Sequence, residues 1–379
     1  MDANDEEDIG ARSQRLAPLW LALVALTLAI AGGYIAAATA PDFDTLALGE
    51  QTQSRYGRYQ GDKIFCGSPA EAPECLGPAA RRKLAQRVLW LGNSQLHAIN
   101  QSRPGDVTAP VLLARRLRPR GIEVQAMSFP NGSLAEFYLA YLFERRAAPI
   151  DTLVVPLFLD DTREGEVRDI LRPLAIDPAI RPRLAASPAG QAVLAALPPV
   201  DDSSEPGAGD TLQSRSEAAI THWLERCCGF QTMRENARGQ FAIQIFNLRN
   251  TVFNVTAQSV RPIIPNTYAF NLAALDQLLA DAARDGTRVI TYVPPLRQDV
   301  RPPYVQADYA RFKAQTRALA LRHGAVWIDL DTIVPGALWG TKASPRLGGG
   351  VELDFMHFQA PGHIALERRI APIVETTLR

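Results

Sequence analysis

The chain has 379 residues, 40 basic and 40 acidic side chains, and 47 % hydrophobic residues. That is enough for one large domain with insertions or for two smaller ones. A formal net charge of zero, without a long basic stripe, argues against nucleic acid as the main partner.

Residues 1–15 read as a polar cytoplasmic tail. No charged residue follows Arg15 until Asp42, and the apolar run Leu16 to Ala40 is long enough to cross a bilayer core as a helix. Its alternative is a signal peptide, for which Ala38-Thr39-Ala40 supplies a small-residue cleavage site. Arg12 and Arg15 precede the run, so an uncleaved span leaves the N-terminus in the cytoplasm and the rest of the chain in the periplasm or outside the cell. Residues 41–85 read as a linker and irregular loop. Cys66 and Cys75 flank a Gly/Pro-rich stretch there and can close a small loop in an oxidising compartment. Cys227 and Cys228 are adjacent, where a bridge would be strained. No Cys/His spacing suits zinc, and no cofactor or metal is expected.

From residue 86 strands and helices alternate. Arg87 to Leu91 is a buried strand stopped by the turn Gly92-Asn93. A helix over 109–118, a strand over 122–127, a helix over 134–146 and a strand over 151–157 follow. Residues 162–260 lose the alternation and read as a mostly helical insertion. Arg163, Arg168 and Arg172 at its start read as a solvated charged face, with an anionic polymer as the alternative. Alternation resumes with a helix over 271–285, a strand over 287–293, a helix over 304–323 ended by Gly324, a strand over 325–330 and a helix over 362–378. Trp339-Gly340-Thr341 and Gly348-Gly349-Gly350 suggest either a rim over a site or a connector. Strands separated by such helices imply a parallel sheet covered on both faces, with active groups at the carboxyl ends of the strands.

Two motifs fall on that edge. Gly92-Asn93-Ser94-Gln95 offers a serine on a strand-to-helix turn, either as a nucleophile or as a helix N-cap. Asp354-x-x-His357 offers a carboxylate and an imidazole, either as the rest of a triad or as a surface acid and a capping histidine. A serine hydroxyl needs a base within hydrogen-bond reach, and the base needs a partner to fix its tautomer. His97 shares the helix face nearest Ser94, as a substrate contact or a solvated side chain, and His363 packs at the start of the final helix.

Those two motifs resemble the first and last sequence blocks of the SGNH (GDSL-like) hydrolase superfamily, with Asn93 where the family's first block has Asp. The likeness covers roughly residues 86–160 and 265–379. More narrowly, the chain resembles the membrane-anchored branch that works with membrane-bound O-acyltransferases, which includes the teichoic acid D-alanyl transfer and alginate O-acetylation proteins. The resemblance implies an α/β, flavodoxin-like three-layer fold with Ser94 as nucleophile, His357 as general base and Asp354 as its orienting acid. It implies an oxyanion hole from the Ser94 N–H, Gly132 and, as a substitute donor, Asn131. The family's oxyanion asparagine has no counterpart after the 151–157 strand, where Asp160-Asp161 stands; Asp160 is the candidate substrate contact. The expected function is an O-acyltransferase for a cell-envelope or secreted polysaccharide, partnered by a membrane-bound O-acyltransferase. The alternatives are an esterase or deacetylase of the same fold, or a degenerate polysaccharide-binding or scaffold subunit.

Overall fold

A computed structural model describes residues 51–66, 86–197 and 244–378, together with Val24, Thr27, Ala31, Leu48 and Glu71. The chain divides into two units, Met1–Ala47 with Ser203–Leu248, and Leu48–Asp202 with Arg249–Arg379. In the first, the described residues Val24, Thr27, Ala31 and 244–248 are helical. The apolar run 16–40 otherwise lies outside the described residues, as do Cys75, Cys227 and Cys228. Among the described residues, no helix is long and apolar enough to cross a membrane.

The second unit is built on a six-stranded sheet. Its strands in chain order are β1 (Phe65–Cys66), β2 (Gln86–Gly92), β3 (Ile122–Ser128), β4 (Thr152–Pro156), β5 (Arg288–Val293) and β6 (Val326–Asp329). Their spatial order is β6-β5-β4-β2-β3-β1, and every neighbouring pair is parallel. Val88, Leu89, Trp90 and Leu91 of β2 are all fully buried, as the continuous apolar run requires of a strand covered on both faces.

The helices are α1 (Ser94–His97), α2 (Ala109–Leu117), α3 (Leu134–Ala147), α4 (Pro265–Arg284), α5 (Gln306–Arg322) and α6 (Ala360–Thr377). Side chains alternate along β2, so each face builds its own core. Leu89 and Leu91 pack with Phe137 and Tyr138 of α3 and Leu275 and Leu278 of α4. Val88 and Trp90 pack with Val111 and Leu117 of α2 and Ile370 and Val374 of α6. The result is a three-layer α/β unit.

Several expectations change. The 41–85 linker contains a core strand: Ile64, Phe65 and Cys66 are fully buried, and β1 pairs with β3. Two residues are too short a run to show periodicity. Cys66 is disulfide-bonded, and its partner is not among the described residues. Short helices at Arg172–Ala175, Arg181–Ala185 and Pro188–Ala195 occupy the start of the insertion, and their Leu174, Leu184 and Val193 join the α3–α4 core. Residues 198–243 lie outside the described set.

One buried ion pair fixes the end of β2 away from the site. Arg87 and Glu144 are 5 % and 0 % exposed and form an ion pair. Arg87 also donates to the Glu144 carbonyl at 3.1 Å and bonds to the Gln125 side chain. Burial pushes Glu144 above the ordinary carboxylate range, opposed by the charge and hydrogen bond of Arg87. Removing one partner leaves the other charge uncompensated. Arg87→Met should therefore lower stability by about 3–5 kcal/mol in urea denaturation, and Arg87→Met/Glu144→Leu should recover part of it.

Candidate active site

Ser94 leaves the carboxyl end of β2 as the first residue of α1. The cap of that helix is Asn93, whose backbone is extended and whose Oδ1 accepts from the Gln95 N–H at 3.1 Å. The capping role is filled by Asn93, which leaves the Ser94 hydroxyl available. Gly92 is required just before it, because a Cβ there would meet the Leu96 side chain.

Asp354 and His357 stand on a hairpin of β7 (Trp339–Ala343) and β8 (Val351–Phe358), rather than in a free loop. Plain strand geometry would send side chains three residues apart to opposite faces. The pairing is interrupted, however: Thr341 faces Leu353 and Trp339 faces Phe358, so Gly340 alone lies opposite residues 354–357. The excess chain folds back on itself, and Asp354 Oδ1 accepts from the Met356 N–H at 2.8 Å and the His357 N–H at 3.1 Å.

The two motifs meet. His357 Nε2 lies 2.9 Å from Ser94 Oγ, and His357 Nδ1 lies 2.9 Å from Asp354 Oδ2. Ser94, His357 and Asp354 are 5 %, 6 % and 0 % exposed. Burial pushes Asp354 up, but the His357 charge and hydrogen bond, the Lys342 charge and the Met356 N–H outweigh it and hold Asp354 well below its ordinary value. An ionised Asp354 accepts the Nδ1–H, which leaves the Nε2 lone pair facing the serine O–H.

Asn100, which the sequence does not single out, completes the cage. It is fully buried, and its Nδ2 lies 3.0 Å from Asp354 Oδ2, 3.0 Å from the Thr341 carbonyl and 3.0 Å from Thr52 Oγ1. A side chain at position 340 would collide with Asn100, so Gly340 belongs to the same arrangement. Arg297 donates to the Gly340 carbonyl at 2.8 Å through Nη1, while both carboxylate oxygens of Asp299 accept from its Nε–Nη2 edge. These contacts tie the hairpin to the carboxyl end of β5.

The other candidates are placed differently. Gly132 N–H donates to the Phe129 carbonyl at 3.1 Å, closing a turn in which Asn131 is exposed and left-handed (φ 52°). In this structure the Gly132 donor is thus committed within its turn. His97 is fully buried, with Nδ1 2.8 Å from Ser128 Oγ and its ring stacked on Tyr56. Asp160 accepts from Arg261 Nη1 at 2.6 Å and from the Tyr304 hydroxyl at 2.9 Å. His363 accepts from the Ala109 N–H at 3.3 Å and donates to the Ala98 carbonyl at 3.2 Å, a buried neutral ring. Arg168 wraps Glu136 and donates to the Pro130 carbonyl at 2.6 Å; Arg172 pairs with Asp169, and Arg163 with the Pro262 carbonyl. Arg168 and Arg163 thus tie this segment to the start of α3 and to residue 262, while Arg172 pairs within it. No cluster of metal-ligating side chains occurs among the described residues.

No protein-family model and no curated protein matches the chain. Among solved structures it is similar to LAE5, an alpha/beta hydrolase enzyme from the metagenome of Lake Arreo, Spain, at 12 % identity and a TM-score of 0.38 over 76 % of this chain and 94 % of that one. It is also similar to the acetylxylan esterase Axe2 from Geobacillus stearothermophilus, at 11 % identity and a TM-score of 0.38 over 76 % and 93 %. A putative acylhydrolase from Bacteroides fragilis stands at 11 % identity and a TM-score of 0.34 over 79 % and 95 %. At such values functional weight falls on this chain's own side-chain geometry.

Two tests follow from the site's construction. Asn100→Ala strips buried acceptors of their donor and should destabilise the chain by about 1–3 kcal/mol in urea denaturation. Burial, and then the His357 and His363 charges, lower His97 from 6.5 to about 3. The unfolded chain therefore takes up this proton first, and the stability from a neutral His97 is lost as pH falls below 6.5 towards 3. The stability advantage of wild type over His97→Gln should shrink over that window by up to about 1.4 kcal/mol per pH unit; a gap independent of pH would show that His97 titrates normally.

Proposed function

We propose that this protein is a serine acyl-transfer enzyme in which Ser94 carries the acyl group. The observation that carries this reading is the continuous relay from Ser94 Oγ to His357 Nε2 and from His357 Nδ1 to Asp354, among three side chains of low exposure. Ser94 Oγ attacks the acyl carbonyl carbon while His357 Nε2 takes the hydroxyl proton. The tetrahedral intermediate collapses, the leaving oxygen takes that proton from His357, and an ester remains on Ser94. An incoming hydroxyl then gives its proton to His357 and attacks the ester, and Ser94 regains a proton. Asp354 keeps the ring in one tautomer and stabilises the imidazolium. The Ser94 N–H is the donor offered to the oxyanion.

A sugar hydroxyl as acceptor makes the protein an O-acyltransferase; water makes it an esterase. We favour transfer to a cell-envelope or secreted polysaccharide. A groove of ≈ 310 Å³ lies against the hairpin strands, walled by Thr256, Gln258, Thr341, Arg346 and Glu352 beside the apolar Val351 and Leu353; the Ser94, Asp354 and His357 side chains are not among its walls. That mixture of hydroxyl, amide and charged groups suits a polyhydroxylated chain. The apolar run 16–40 supports a single-pass anchor in the cytoplasmic membrane, and the Cys66 disulfide supports an oxidising, extracytoplasmic location. An anchored enzyme meets a membrane-bound O-acyltransferase at raised effective concentration, which favours that partner as the acyl donor.

Intact mass of the full-length chain after exposure to an activated acetyl ester tests the reading. Wild type should gain one acetyl group at Ser94, Ser94→Ala none, and His357→Gln should acylate at least about a hundredfold more slowly. Faster loss of the adduct with added polysaccharide than in buffer would mark transfer. A folded wild type that takes no acetyl group, with no ester turnover, would favour the binding or scaffold reading.

A further inference from the structure

The sheet reverses its direction of winding between β2 and β4. The chain leaves β2 towards β3 on one side and leaves β4 towards β5 on the other. In a parallel sheet, such a switch point opens a crevice at the carboxyl ends of the two strands. Side chains of the turn after β2 reach across it: Gln95 Nε2 donates to the Pro295 carbonyl at 3.1 Å, and a second bond joins the segments that follow the two switch-point strands. Asn93 Nδ2 donates to Asp161 Oδ1 at 2.9 Å, joining the residue before Ser94 to the segment after β4.

Asp161 is an unusual partner for that job. It is 3 % exposed, and its Oδ2 is buried with no hydrogen-bond partner among the described residues. A buried carboxylate is normally compensated by a cation or several N–H donors. Arg261, beside the adjacent Asp160, is committed to Asp160, and Arg168 is committed to Glu136. Tyr292 of β5, which also faces this region, accepts from Trp90 Nε1 at 3.1 Å. An ionised Asp161 would be buried without a cation and beside two further acids, Asp160 and Glu136.

We propose that Asp161 is a positioning residue that works as a neutral carboxylic acid: Oδ1 accepts from Asn93, Oδ2 keeps the proton, and the turn presenting Ser94 is fixed without a charge beside it. Asn93 is held at both ends, by Asp161 through Nδ2 and by the Gln95 N–H through Oδ1. The start of α1, and with it the Ser94 hydroxyl, is set by this bridge. Neutrality has a chemical purpose, because a fixed anion at the crevice would oppose the negative charge developing on an acyl oxygen at Ser94. Burial pushes Asp161 well above the ordinary carboxylate range; the Asn93 hydrogen bond and the Phe158 backbone oppose this, and Asp160 and Glu136 add to it. The positioning role rests on the nucleophile reading of Ser94; the state of the acid does not.

The test uses full-length wild type, Asp161→Asn and Asp161→Ala, each checked for cooperative unfolding. The first readout is infrared difference spectroscopy at neutral pH: wild type should show the carbonyl stretch of a protonated carboxylic acid, and Asp161→Asn should lack it. The second is stability against pH. A carboxyl raised in the folded state contributes stability that is lost as pH rises above its unfolded value of about 3.9. Asp161→Asn should therefore gain on wild type as pH rises from there towards neutral. The third is labelling of Ser94 by a fluorophosphonate. Asp161→Ala should slow it roughly tenfold to a hundredfold, the size of one lost buried hydrogen bond, and Asp161→Asn should restore most of that loss. No protonated-acid band together with a stability gap that ignores pH would overturn the neutral acid. Labelling of Asp161→Asn as slow as that of Asp161→Ala would overturn the positioning role. A wild type that takes no label would overturn the nucleophile reading and the positioning role with it, while the first two readouts still decide the protonation of Asp161.

Discussion

Asp354 is a fully buried carboxylate, held ionised by donors that arrive from two separate parts of the chain. Two come from its own backbone turn, one from the Asn100 amide and one from the His357 ring. A buried charge is tolerated only when its acceptor sites are filled. That requirement explains the interruption of the β7–β8 pairing, the glycine at position 340 and the burial of Asn100 together. With Asp354 fixed, the His357 ring has one orientation and one tautomer, and its second nitrogen faces Ser94. Asp354 thereby sets the ring that faces the Ser94 hydroxyl without touching the serine itself.

The sheet brings these groups together across 263 residues of sequence. Ser94 follows a central strand, so both cores converge on its support, and Val88 to Leu91 leave that strand no freedom to shift. The hairpin enters from beyond the edge strand β6 and is pinned by Arg297. β2 and β4 meet at the switch point, and the Asn93–Asp161 bond joins the segments that follow them. Two acids adjacent in sequence take opposite roles there. Asp160 is paired with Arg261 and Tyr304, whereas Asp161 is enclosed without a cation. Environment, not residue type, separates them.

The parts of this arrangement that depend on short stretches of chain are legible in the sequence. Buried runs alternating with helices announce the parallel sheet, the turn after β2 announces a serine at the start of a helix, and Asp354-x-x-His357 announces a carboxylate beside an imidazole; that the serine is buried is not announced. The parts that depend on distant pairing are not. Asn100 reaches Asp354 because Ala98–Asn100 pairs with Thr52–Ser54, in a segment that reads as linker. Whether the Gly132 N–H is free or spent on Phe129 depends on the turn its neighbours adopt. Of Asp160 and Asp161, the first draws an arginine from 101 residues away, which no local pattern encodes. Ser94 reads as a helix cap as well as a nucleophile, and only the finished turn shows that Asn93 takes the cap instead.

The measurement closest to the central claim is the proton between His357 and Asp354 in the resting protein. A proton held between a buried imidazole and a carboxylate exchanges slowly and resonates far downfield in proton NMR. Wild type should show such a signal, lost in His357→Gln and in Asp354→Ala. Because His323 also lies 2.6 Å from a carboxylate, that of Asp276, the signal must survive His323→Gln. A downfield proton that survives His323→Gln and vanishes with His357 or Asp354 would establish the pre-aligned relay. Its absence from the folded wild type, or its survival in Asp354→Ala, would contradict it.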